Sequence, residues 1–163
     1  MIAQVASIAS GLLLVPRALA YHYLPRLKAG NSVDAGIATE YRRQLRVGLS
    51  ILWLCFIAAL VALNIGRAIA LQTTMLAALC ATELIVAQAS LYPSNFLLVL
   101  GRMKYVMTSS VVLASVWAIS IVLLATTEGV HQLEMLFGLS IVLHLFRSQY
   151  LNSKVRTSYA SYL

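Results

Sequence analysis

Residues 47–66 read VGLSILWLCFIAALVALNIG, twenty residues without one charged side chain. About 20 apolar residues in a helix cross the ~30 Å hydrocarbon core of a bilayer. In lipid only helices and closed barrels satisfy their own backbone, and a continuous apolar run does so as a helix. The stretch therefore sets the class of the chain as an all-α integral membrane protein. The composition agrees: hydrophobic residues make up 61% and charged residues 10%, whereas a soluble domain carries about 25% charged residues.

Working outward from this run, four more apolar stretches give a bundle of about five transmembrane helices. They are expected over 2–24, 47–70, 74–100, 105–126 and 130–146, with a cytoplasmic loop at 25–46 and a basic cytoplasmic tail at 147–163 that lies frayed at the interface. The bundle as a whole occupies 1–146. Basic residues sort by connection. Arg26, Lys28, Arg42, Arg43 and Arg46 fall between the first and second helices, Arg67 alone in the next connection, and Arg102 and Lys104 in the third. The fourth connection has none, and the tail has Arg147, Lys154 and Arg156. Lys and Arg are retained on the cytoplasmic side, so the N-terminus is expected outside and the C-terminus in the cytoplasm. Within the first loop, Pro25 is expected to end the first helix. Gly30-Asn31-Ser32 forms a turn and Asp34 a cap. A short basic helix over 35–46 then rests on anionic headgroups or meets a partner.

Several function classes drop out. The net charge of +7 marks membrane loops rather than a nucleic-acid surface, because no basic run sits on a soluble fold. Cys55 and Cys80 lie in apolar runs without metal-ligand or disulfide spacing. No nucleophile–base pair, phosphate loop or metal motif is present, so neither an enzyme nor a cofactor is expected. The start lacks a basic stretch ahead of its apolar run and does not read as a cleavable signal.

Ionisable residues in mid-membrane are expensive and are functional candidates. Arg17 lies nine residues before Arg26, and Glu83 nine residues after Thr74. At 1.5 Å per residue each is about 13 Å deep, near the midplane. Either they pair with each other and lock two helices, or they line a wet cavity. In that cavity Arg17 would attract an anionic headgroup and Glu83 would balance it or carry a proton. Gln88 lies partly on the face of Glu83. Pro16 and Pro93 sit on the same two helices as these charges, as packing kinks or hinges; Pro93 frees the carbonyl of Ala89. His22 and His144, at matching depths, would suit a haem between two helices, but Tyr21-His22-Tyr23 also reads as an aromatic belt.

The order of features resembles the multidrug/oligosaccharidyl-lipid/polysaccharide exporter superfamily. The stretch 3–46, with Pro16, Pro25-Arg26-Leu27, Gly30-Asn31 and Glu40–Arg46, is similar to its eighth helix, the loop after it and the start of its ninth. Residues 79–107, LCATELIVAQASLYPSNFLLVLGRMKYVM, resemble its tenth helix and the Gly-Arg-x-Lys turn before the eleventh, here Gly101-Arg102-Met103-Lys104. The Gly-rich turn between the last two helices is reduced to Glu128-Gly129, and an asparagine early in the eleventh helix is missing. The resemblance implies a C-terminal-lobe fragment of a polysaccharide (O-antigen-type) flippase in a bacterial inner membrane. Its partners would be membrane lipids, a lipid-linked saccharide and the remaining transporter lobe. The alternatives are an accessory structural subunit among other membrane subunits, as in a respiratory complex, or a haem- or quinone-binding anchor.

Overall fold

A computed structural model of the chain describes residues 14–27, 35–64, 71–126 and 132–160. Among them the protein is all-helical, with α1 Leu14–Leu27, α2 Ala35–Asn64, α3 Leu71–Gln88, α4 Leu91–Val99, α5 Met103–Ala125 and α6 Gln132–Ala160. Three helical stretches, Gly36–Ala62, Thr74–Val99 and Met103–Leu124, are long and apolar enough to cross a membrane. Their outward faces are apolar as well: Val111 is 62% and Val122 63% exposed on α5. A helix apolar all round belongs in lipid or within a larger assembly.

The helix boundaries differ from expectation in three places. The expected basic helix over 35–46 is present but is not a separate element. Pro25 sits inside the last turn of α1 rather than ending it at Leu24, and the basic helix and the second span form one 30-residue rod, α2. Nothing between Arg46 and Val47 breaks a helix, and Ala38, Tyr41, Leu45 and Leu49 bury one continuous stripe across the junction. The turn at Gly30-Asn31-Ser32 and the cap at Asp34 lie outside the described residues. The third span divides in two at Ala89-Ser90, at the carbonyl that Pro93 is expected to free. The fifth helix does not stop at Phe146 before a frayed tail; α6 continues unbroken to Ala160, because Leu151, Val155 and Ser158 extend a buried stripe at helical spacing.

The break at Ala89-Ser90 has a covalent cause. Pro93 has no N–H to give the Ala89 carbonyl, and Ser148 of α6 donates its hydroxyl there instead, at 3.4 Å. Beyond the break, α4 is the hub of one end of the bundle. Tyr92 to Leu97 are buried one after another, and α4 touches α1, α2, α5 and α6. An aromatic column runs through it. Tyr23 stacks on Tyr41 at 5.2 Å, Tyr41 meets Tyr92 at 5.5 Å, and Tyr92 meets Phe96 at 5.8 Å. The α4 terminus is closed by a Schellman turn: the Arg102 amide donates to Leu97 O and the Gly101 amide to Leu98 O. Gly101 has φ +69°, a conformation a glycine adopts without strain. The Gly-Arg-x-Lys stretch is thus a helix stop followed directly by α5. The other end of the bundle is held by α6, which packs along α3 and α5.

Candidate functional site

Helical spacing on α6 places Ser140, His144, Arg147 and Leu151 on one stripe. That stripe faces α3, α4 and α5 and brings three chemistries together. The first is at Glu83. Its carboxylate accepts the Ser140 hydroxyl at 3.0 Å and lies 3.3 Å from His144 Nε2. Both side chains are largely buried, at 13% exposure for His144 and 17% for Glu83. His144 Nδ1 is buried without a hydrogen-bond partner. The pair carries one negative charge when a neutral imidazole donates its Nε2–H to the carboxylate, and none when the ring holds a second proton. One proton therefore changes the charge of the unit. In a low-dielectric setting such a change alters the local energy strongly.

This pair lines an open groove of about 430 Å³. The groove is walled by α5 through Leu113, Ala114, Trp117 and Ile121, with Ser110 at one edge. Glu83 is nine residues from Thr74 within the span Thr74–Val99, about 13 Å from that end. The site therefore sits inside that apolar stretch, away from its ends.

The second chemistry is at Arg147, half-buried one turn beyond His144. Its Nη2 donates to Ser110 Oγ at 2.9 Å, Nη1 to Ser90 Oγ at 3.1 Å and Nε to Ser109 Oγ at 3.4 Å. The hydroxyls can accept because their own protons are used elsewhere. Ser90 donates to Ala87 O at 3.0 Å and Ser109 to Val106 O at 2.9 Å. Three helices thus converge on one guanidinium through neutral acceptors. The third chemistry is uncharged: Asn95 Nδ2 donates to the Tyr41 hydroxyl at 3.1 Å inside the α4 hub.

The residues singled out from sequence are dispersed. Glu83 is central, but its partners are Ser140 and His144, not Arg17. Arg17 is exposed on α1 and forms no ion pair among the described residues. Equal depth did not bring the two together, because α1 packs on α2 and α4 whereas α3 packs chiefly on α6. Gln88 ends α3, half-buried just before the break. Pro93 is fully buried at that break, and Pro16 is buried on α1, while its carbonyl acceptor at Leu12 lies outside the described residues. His22 is exposed and packs edge-on against Tyr23 at 5.0 Å. His144 faces Glu83, so the two histidines do not face each other across a shared site.

Sequence reasoning missed Ser140, His144 and Arg147 as one set. Their spacing of four and three residues was visible, but Arg147 was assigned to a tail because a charge after Phe146 reads as the end of a span. Compared with known proteins, the chain matches no family model, no curated protein and no solved structure.

Proposed function

We propose that the chain is one helical lobe of a bacterial inner-membrane flippase that moves a lipid-linked oligosaccharide or polysaccharide repeat by alternating access. The N-terminus lies outside and the C-terminus in the cytoplasm, as the distribution of basic residues suggests. The observation that carries the reading is the Glu83–His144–Ser140 constellation at mid-depth beside an open groove. Transporters place substrate and coupling-ion sites near the bilayer midplane, beside interrupted helices; here the interruption at Ala89-Ser90 follows Glu83 by two turns. In this role Glu83 and His144 form the ion pathway. Gln88 extends it toward the break, and Pro93 with its freed carbonyl supplies the hinge. Arg17, outward-facing on α1, is the cation that meets the anionic substrate or the other lobe, with Pro16 beside it. The chain acts by binding and movement, not as an enzyme.

The reading is tested by translocation of a fluorescent lipid-linked saccharide in vesicles holding the transporter that contains this chain. Replacing Glu83 and His144 together by leucine is expected to leave folded yield intact and abolish translocation. Full translocation by that variant would reject the role of the pair. The second reading, an accessory subunit, draws on the apolar outward face of α5; isolation of the native chain within a larger complex that carries no transport activity would establish it.

A further inference from the structure

The groove between α5 and α6 on the side away from Glu83 has no part in that mechanism. It holds about 320 Å³ and is lined by Ser109, Val112, Leu143, Phe146, Arg147 and Tyr150, among others. Basic side chains gather one turn beyond one end of this lining. There Lys104 Nζ lies 5.2 Å and Lys154 Nζ 5.4 Å from the centroid of the same ring, Tyr105. Lys154 also lies 5.5 Å from the Tyr150 ring. Two turns deeper comes Arg147, and beyond it only apolar walls.

We infer that this groove is a binding site for an anionic phospholipid of the bilayer, with its phosphodiester held by Lys104, Lys154 and Arg147 and an acyl chain lying along Val112, Leu143 and Phe146. The inference does not depend on the transport reading. Arg147 lines the groove, both lysines share the Tyr105 ring one turn beyond its end, and none of the three forms an ion pair among the described residues. Tyrosine faces attract ammonium groups, but a ring shared by two of them does not cancel their mutual repulsion. A phosphodiester between them does. The guanidinium has five N–H donors and three are engaged with serines, so donors remain for a phosphate oxygen. Val112 and Phe146 stand 56% and 65% exposed beyond the cationic mouth, as an acyl chain requires and a free anion does not. Basic side chains grouped at a helix end are also the recurring device for anionic headgroups.

The test is native mass spectrometry of the full chain released from micelles that contain palmitoyl-oleoyl phosphatidylglycerol or the matching phosphatidylcholine. The expected result is one retained phosphatidylglycerol per chain and weaker retention of phosphatidylcholine. The Lys104→Gln/Lys154→Gln variant should lose affinity by about fivefold for each lysine, the weight of one basic side chain at an anionic surface. Val112→Trp fills the apolar part and should weaken retention with both lysines in place. Circular dichroism establishes that each variant is helical; if the tryptophan variant fails to fold, the lysine variant alone decides. Equal retention of the two lipids, or unchanged retention by the lysine variant, would overturn the proposal and leave the groove to a protein helix. Displacement of the lipid by inorganic phosphate would also overturn it, as a site for a small anion.

Discussion

Two regions of this bundle bury polar atoms, and they solve the problem in opposite ways. At the α4 hub the groups are neutral: the Tyr41 hydroxyl accepts from Asn95 within an aromatic column, and both residues are buried. At mid-depth the groups are ionisable, and Glu83, Ser140 and His144 border an open groove. A neutral polar atom needs only one good hydrogen bond to be sealed away. A charge in an apolar layer needs a counter-charge, several donors or access to water. The first region can therefore be closed and rigid, while the second keeps one side open and one imidazole nitrogen unpartnered.

The largest expected effect tests the closed region. Phe96 is fully buried, and Phe96→Ala should cost about 3–5 kcal/mol, read as loss of helical signal at lower temperature in detergent. A change below about 1 kcal/mol would mean that α4 is not the hub. Next, His144→Leu strands Glu83 with Ser140 alone, and a lone central charge costs about 2.5–3.5 kcal/mol on insertion scales. The Glu83→Leu/His144→Leu double variant should recover most of that loss, because a buried pair exchanges for apolar residues more easily than it loses one partner. If the double variant unfolds as readily as the single one, the pair does not behave as a unit. Gly101→Ala places a side chain at positive φ and should cost about 1–2 kcal/mol; a neutral result would show that the Schellman turn relaxes. The smallest effect is Tyr41→Phe, at about 1 kcal/mol for one hydrogen bond. Under the proposed transport role it should leave translocation unaltered, whereas substitutions at Glu83 should not.

Much of the architecture was legible in the chain. The runs at 47–66 and 105–126 and the proline at 93 gave the helical class, the core of α2 and α5, and the carbonyl that Pro93 leaves unpaired. Helix ends were less legible. Residues 35–46 and 147–160 are polar and basic, so they read as a separate short helix and a tail. Each instead continues a longer helix, because a stripe through Tyr41 and Leu45 on α2, and through Leu151 and Val155 on α6, is buried against neighbours. Polarity reports which medium a face meets; it does not say whether the backbone is helical.

The site divides in the same way. Sequence alone set Glu83 nine residues inside the apolar stretch that begins at Thr74, about 13 Å from that end by the 1.5 Å rise of a helix. The same count led to the expectation that Arg17 lies at a matching level. Partner choice depends on rotation about each helix axis and on which helices adjoin, and one chain read as a line contains neither. Tertiary packing set α6 against α3, and so gave Glu83 a histidine and a serine rather than an arginine. It also turned Arg147 from a tail charge into the point where three helices meet. The physical reason is that residues 57 positions apart, such as Glu83 and Ser140, become neighbours only through helix packing, here across a hydrogen bond of 3.0 Å.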